Sequence, residues 1–256
     1  MPAIMADSAH PFSASDLAVL PAGTVAIARP LFAGATDADG SVAVPIATPL
    51  SAAEVATIHG AGLAVLPYAN NLGWVDLTDP ASVTAKSAAA IHQASSIGVP
   101  AGCYVGVDLE DWTTPPAALS AIAAAWRASI YGGAGLPYFG AASPTVQVWR
   151  QLRATDPNVG RMILWIASWQ GTWTPGMPLP AWNPGVDDPA VEAWQFTDKG
   201  AGVYDLSLLR LPMLSVGSVA EGLWLPDGTV GSPNPAKTAI ESAVHTLNAA
   251  VQEVWG

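Results

Sequence analysis

The sequence feature that most constrains the fold of this chain is a series of eight short, nearly continuous apolar runs, each followed by a polar, Gly or Pro break. The runs cover residues 3–7, 24–31, 62–69, 102–110, 136–142, 161–168, 190–197 and 203–208. Strands buried on both faces read as continuous apolar runs, and their alternation with Ala-rich stretches is typical of parallel β/α units. Eight such units close a barrel, so the sequence predicts an α/β fold of the (β/α)8 TIM type.

Helix signals lie between most of the runs. Ser51 followed by Glu54 predicts a capping box at the start of a helix that ends near Gly60. Prolines in the first turn predict three longer helices, over 79–98, 114–131 and 143–154, and a short one is expected over 13–20. The Gly-, Pro- and Trp-rich segment 171–188 predicts no helix, and we interpret it as a long loop over the site.

The composition changes after Leu214. Pro226-Asp227-Gly228 between short apolar stretches predicts a hairpin, and a last helix is expected from Asn234. We therefore divide the chain into a barrel over 1–214, a hairpin and linker over 215–233, and a C-terminal helix over 234–256.

The predicted last helix carries a narrow apolar stripe at heptad spacing. The stripe consists of Ile240, Val244, Leu247, Val251 and Val254. A narrow stripe is typical of a self-association seam, which predicts a homo-oligomer, whereas helices that dock on their own domain usually have a wider apolar face. Packing on the barrel or on another partner remains the alternative.

Charge and composition exclude several classes of partner. The formal net charge of −11 and the sequence pI near 4.4 disfavour nucleic acid and anionic membrane surfaces. The most apolar window, near 117–130, is too short to span a membrane. A single cysteine, Cys103, and four histidines without ligand spacing predict no metal, and no cofactor motif is present. No Lys or Arg precedes Arg29, so no signal peptide is visible.

Acidic residues end several of the predicted strands. Asp7 ends the first, Asp108 and Glu110 end the fourth, and Asp205 lies in the eighth. In a barrel of this type the active site lies at the carboxyl ends of the strands. Asp108 and Glu110 would project from one face with Cα atoms about 6.5 Å apart. Such a pair suits acid-catalysed glycosidic cleavage, although a solvated strand end would give the same short pattern.

Aromatic residues also lie at or just beyond strand ends, where their faces would stack on sugar rings. They are Tyr68, Trp112, Trp165, Trp169, Trp173 and Trp194, whereas Trp126 and Trp149 are expected in the core. Gln195 would orient a sugar hydroxyl or cap a strand. Arg29, at the end of the second strand, would contact substrate or form an ion pair with Asp7 or Glu110.

Several blocks of the sequence resemble, in this order, two related groups of proteins. The blocks are 61–68, 104–110, 165–169, 194–196 and 204–206. They are similar to the glycoside-hydrolase-like domain of unknown function of actinobacterial and phage proteins, and to glycoside hydrolase family 25 lysozymes. The lysozyme resemblance implies a (β/α)8 barrel that cleaves the muramic acid–glucosamine bond of peptidoglycan. It also implies that Glu110 is the proton donor, that Asp108 is its partner or orients the substrate acetamide, and that Asp7 and Asp205 support them.

The combined expectation is a glycoside-hydrolase-like enzyme that cleaves or binds a cell-wall glycan, outside the cell, at the wall or in a virion. One alternative is a non-catalytic structural or attachment protein, for example a phage tail component, that keeps the barrel as a carbohydrate-binding module. A sugar-phosphate enzyme is a weaker alternative, because the predicted site is acidic and has no lysine near the strand ends.

Overall fold

Eight strands wind around a common axis in the computed structural model of the chain. It describes residues 3–34, 47–109, 114–128, 135–140, 144–159, 164–170, 173–174, 177–185, 191–200, 204–209 and 222–230. The strands are β1 Ala3–Asp7, β2 Thr24–Pro30, β3 Ala64–Ala69, β4 Val105–Asp108, β5 Gly135–Gly140, β6 Leu164–Ala167, β7 Val191–Gly200 and β8 Tyr204–Leu209. Each lies within or close to one of the eight apolar runs, so the mixed α/β class is confirmed.

The sheet departs from a regular (β/α)8 barrel at its last strand. Strands β1 to β7 pair in chain order and in parallel, which makes a curled seven-stranded sheet. β8 then closes it by pairing antiparallel with both β7 and β1. Only residues 201–203 separate β7 from β8, and a parallel crossover needs a dozen or more residues. The prediction of a regular barrel of eight parallel strands is therefore wrong at this strand.

Helices cover the outside of the sheet and begin close to where the capping signals predict. They are α1 Ala14–Ala18, α2 Ala52–Gly60, α3 Trp74–Leu77, α4 Pro80–Ser96, α5 Pro116–Ala128 and α6 Pro144–Arg153. Ser51 and Asp79 cap α2 and α4 through their side chains. The short α3 was not predicted. The predicted capping box at Ser51 forms only in part, because the Glu54 carboxylate binds Arg29 instead.

In the strands whose side chains are described, which exclude β5, alternate residues pack into two separate clusters on opposite faces of the sheet. The outer cluster lies beneath the helices and includes Ile4, Ile27, Val65, Val107 and Ile166. The inner cluster fills the barrel and includes Met5, Ala28, Leu66, Trp165, Ala193 and Leu209. The same alternation places Asp7, Tyr68, Asp108, Gln195 and Asp205 on the inner face, at the carboxyl end of the parallel strands.

The segment 222–230 is built into the amino end of the barrel. β3 and β4 pair only near their carboxyl ends, at Tyr68↔Gly106 and Ala69↔Val107. In the gap at their other ends, the Tyr104 amide donates to Gly222 O (2.6 Å), and Trp224 pairs antiparallel with Val65. Trp224 also bridges to Val230, so the predicted turn is present, and it packs as part of the barrel.

Other predicted features lie outside the described residues. The division of the chain at residue 214 stays a prediction, and the expected helix over 234–256 falls entirely in the undescribed part. Among the described residues, the helices are too short or too polar to cross a membrane.

Candidate functional site

Three aspartates lie on the inner face at the carboxyl end of the barrel. Asp7 is the last residue of β1, and Asp108 is the last residue of β4. Asp205 is the second residue of β8, and the reversed direction of β8 brings it to the same end. Asp7 is buried, while Asp108 and Asp205 are half-buried. The predicted proton donor Glu110 lies outside the described residues.

Asp7 and Asp205 form a direct cross-strand pair between β1 and β8. Residues directly opposite each other in an antiparallel pair have Cβ atoms about 5 Å apart on the same face. Two carboxyl groups at this separation make an acidic rim, which suits a substrate that develops positive charge or donates hydroxyl hydrogen bonds. Within the described part of the chain, no three His, Cys, Asp or Glu side chains form a group that would hold a metal ion.

An aromatic floor lies beneath the acidic rim. Trp165 of β6 is almost fully buried in the inner cluster, and its Nε1–H donates to Ser207 Oγ at 2.9 Å. Tyr68 of β3 contacts the Trp165 ring edge-on, with ring centroids 6.0 Å apart. Trp165 was predicted to stack on substrate, and its burial corrects this prediction: it packs the barrel interior. Tyr68 is half-buried at the end of β3 and stays a candidate contact.

Trp169 lies just beyond β6 and is 55% exposed. Its indole Nε1–H donates to the side-chain oxygen of Gln195 at 3.1 Å. Gln195, on the inner face of β7, is itself buried. The side-chain oxygen of Gln195 therefore orients an indole. That Gln195 also orients a sugar hydroxyl or caps a strand stays a prediction.

Trp194 and Trp173 belong to the outer cluster and not to the opening of the barrel. Trp194 is fully buried on the outer face of β7, where its Nε1–H donates to Ser168 O and its ring meets Trp182 and Phe196. Trp173 is also buried, and its Nε1–H donates to Met177 O. Both were predicted to bind substrate, and this is wrong, because neither presents a ring face to solvent. Trp112 lies outside the described residues.

Arg29 is fully buried on the outer face of β2, so its predicted contact with substrate is wrong. Its Nε–H donates to Glu54 of α2 at 2.7 Å, which replaces the predicted ion pair with Asp7 or Glu110. The same guanidinium donates to the carbonyls of Ser8 and Thr48, and Glu54 accepts from the Phe12 amide at 3.0 Å. The ion pair therefore fixes the loop that follows Asp7.

The loop after β3 is held by polar residues that the sequence analysis did not single out. Asp76 accepts hydrogen bonds from the Gly73 amide and the Ser82 hydroxyl and forms an ion pair with Lys86 at 3.2 Å. Burial raises the pKa of the Asp76 carboxyl, but these donors outweigh burial and hold the pKa below its ordinary value. Ser82 follows Asp76 by six residues and Lys86 follows it by ten, and this order of an acid, a hydroxyl and a cation is the only sequence signal for the anchor.

Comparison with solved structures identifies the class of fold. An uncharacterized protein of B. stearothermophilus is 16% identical with a TM-score of 0.66, over 81% of this chain and 96% of the other. The Tat-secreted protein Rv2525c of Mycobacterium tuberculosis, in complex with HEPES, is 16% identical with a TM-score of 0.55, over 81% of this chain and 95% of the other. GHIP is a glycosyl hydrolase 25 of Streptococcus pneumoniae and is described as a virulence factor in host cell invasion. It is 15% identical with a TM-score of 0.53, over 81% of this chain and 87% of the other.

These similarities show that the chain has a glycosyl-hydrolase-25-like fold, as the sequence resemblance implies. At these identities they show the fold alone. No family model matches the sequence, and no curated protein matches it.

Proposed function

We propose that this chain is a glycoside-hydrolase-like domain that acts on a cell-wall polysaccharide, with peptidoglycan as its substrate. The observation that carries the proposal is the convergence of Asp7, Asp108 and Asp205 on the inner face at one end of the barrel. Carboxylates in that position are what glycosidic cleavage requires, because one group must protonate the leaving oxygen and another must stabilise the positive charge that develops on the sugar. The similarity in fold to a glycosyl hydrolase 25 supports it.

In the proposed mechanism Glu110 donates the proton. Asp108 lies two residues earlier in the chain and is its partner, either stabilising the cationic sugar or orienting the substrate acetamide. Asp7 and Asp205 contribute negative charge on the opposite side of the opening, where β1 meets β8. The substrate places the protein outside the cell, at the wall, and one similar structure is described as Tat-secreted.

The test is turnover of purified peptidoglycan, measured as new reducing ends. Glu110→Gln and Asp108→Asn should each lower turnover by about 10²- to 10⁴-fold, the range for loss of general acid–base catalysis, while the fold is retained. Asp227→Asn is the matched control, because Asp227 is an exposed acid at the amino end of the barrel and should leave turnover unchanged.

The outcomes separate the two candidate functions. If Glu110→Gln turns over as fast as the parent chain, the assignment of the proton donor is wrong. If the parent chain binds cell walls without turnover, the non-catalytic attachment function replaces the enzymatic one.

We also propose, from the sequence alone, that the segment 234–256 mediates self-association through its heptad stripe. Light scattering of the full chain and of a chain ending at Gly231 tests this. A change from oligomer to monomer on truncation is expected, and two monomers would contradict it.

A further inference from the structure

We propose that Trp169 is a stacking platform for a neutral pyranose ring and that Gln195 is the residue that positions it. This proposal rests on the proposed function and names the class of sugar that one part of the site accepts. Trp169 is one of three large apolar side chains that are strongly exposed among the described residues, with Val19 and Met177. The exposure of Trp169, at the end of the barrel that carries the acidic residues, offers a flat apolar face to a ligand.

The backbone around Trp169 is held as an extension of the sheet. The Ser168 amide donates to Gln195 O at 3.0 Å, and the Gln170 amide donates to Phe196 O at 2.8 Å. The carbonyl of Ser168 in turn accepts from the Trp194 indole. Trp169 therefore lies between two residues that are bonded to β7, and little conformational entropy remains to be lost when a ligand binds.

The hydrogen bond from Trp169 to Gln195 determines which part of the indole is left to contact a ligand. Its single donor, Nε1–H, is engaged by the Gln195 side chain. The indole consequently presents an apolar ring face without a free donor, which matches the C–H face of a pyranose and not its hydroxyl groups.

The neighbouring charges restrict the sugar further. Gln195 pairs with Ser207 across β7 and β8, two residues along β8 from Asp205. Asp205 is opposite Asp7, and the chain carries a formal net charge of −11. An anionic sugar at the platform would be repelled by these carboxylates, so a neutral sugar is favoured.

Calorimetric titration with two soluble probes tests the proposal. The first is a β-1,4-linked N-acetylglucosamine hexamer, which is neutral, and the second is a galacturonic acid hexamer, which is anionic. The parent chain should bind the neutral hexamer and bind the anionic one at least tenfold more weakly. Trp169→Ala should weaken binding of the neutral hexamer about five- to tenfold, and Trp169→Phe should restore most of it. Val19→Ala, another exposed apolar site, is the control and should not change binding.

Gln195→Met tests the positioning role, because Met has a similar volume and cannot accept the indole hydrogen bond. It should weaken binding of the neutral hexamer, and its effect should largely disappear in the Trp169→Ala background. A residue that only stabilises the fold would give the same loss in both backgrounds.

Failure of the platform is distinguishable from failure of the proposed function. Unchanged affinity in Trp169→Ala, equal binding of the two hexamers, or no binding of the neutral hexamer by the parent chain would overturn the platform. Loss of affinity in Trp169→Ala together with absent peptidoglycan turnover in the parent chain would retain the platform and overturn the enzymatic function.

Discussion

Asp7 and Asp205 lie directly opposite each other on antiparallel strands, so that β1 and β8 carry two carboxylates on one face at the point where the barrel closes. Like charges in this arrangement destabilise a sheet. A site with such a pair has a negatively charged opening and a less stable fold, and the loss of stability is measurable.

Asp205→Asn should therefore stabilise the fold while lowering turnover. Removal of one of the two facing charges should raise the free energy of unfolding by about 0.2 to 1 kcal/mol at neutral pH, measured by urea denaturation. The gain should shrink in high salt, because Asp205 is only half-buried and added ions screen its charge. A lower urea midpoint for Asp205→Asn would show that the carboxylate contributes more through its other contacts than it costs by repulsion.

Arg29→Met should be strongly destabilising, because it leaves the Glu54 carboxylate buried without its cation. The expected cost is about 3 to 5 kcal/mol in the free energy of unfolding, measured by urea denaturation. Replacement of both partners, Arg29→Met with Glu54→Leu, should recover part of this loss.

Lys86→Met is the matched control for the buried ion pair. Its partner is Asp76, and the Lys86 side chain is 31% exposed against 0% for Arg29. Breaking this partly exposed pair should cost about 1 kcal/mol or less. Equal costs for Arg29→Met and Lys86→Met would contradict the importance we give to burial.

Gly222→Ala should destabilise the amino end of the barrel more than Gly228→Ala. Both glycines have positive φ, +73° and +80°, so each alanine carries a backbone cost of about 1 to 2 kcal/mol. A methyl group at Gly222 would also overlap the Tyr104 ring, whereas nothing lies near Gly228. Thermal unfolding of the two variants separates the steric effect from the backbone effect, and equal melting temperatures would argue against insertion of this segment beside β4.

His59 should make the fold less stable in mild acid. Burial lowers the pKa of its imidazole, against a smaller opposing effect from the Trp224 carbonyl and Asp227. Because the folded pKa lies below the unfolded value near 6.5, the unfolded state binds the proton more readily, and stability falls as the pH drops below about 6.5.

The measurement for His59 is the difference in melting temperature between pH 8 and pH 5, for the parent chain and for His59→Asn. The variant should show the smaller difference, because the other titrating groups are common to both chains. An equal or larger pH dependence in His59→Asn would contradict the prediction.

The strand positions were predictable because burial on both faces leaves a strong local signal. β1 has the predicted bounds, while β4 is shorter than its apolar run at both ends. The direction of β8 leaves no such signal in its own residues. Only the shortness of the connection from β7, residues 201–203, indicates that β8 runs antiparallel.

Two of the errors among the site residues, at Arg29 and Trp194, share one physical cause. Side chains alternate between the two faces of a strand, and both residues lie one position out of phase with the inward-facing Ala28 and Ala193. A Trp or Arg at a strand end can serve either face, so residue type alone does not decide. The partner of Arg29 was not predictable locally, because Glu54 also fits a capping role in its own helix.

The antiparallel closure has a consequence for how the chain folds. Ala3 of β1 pairs with Leu209 of β8, so β1 can pair with its second neighbour only after almost the whole barrel has been synthesised. The segment 222–230, which pairs with β3, is synthesised later still. Contacts between residues so distant in sequence carry a large loop-closure entropy and slow folding. A nascent chain of this protein thus keeps an open sheet edge during most of its synthesis, and it becomes resistant to aggregation only when the last strand is added.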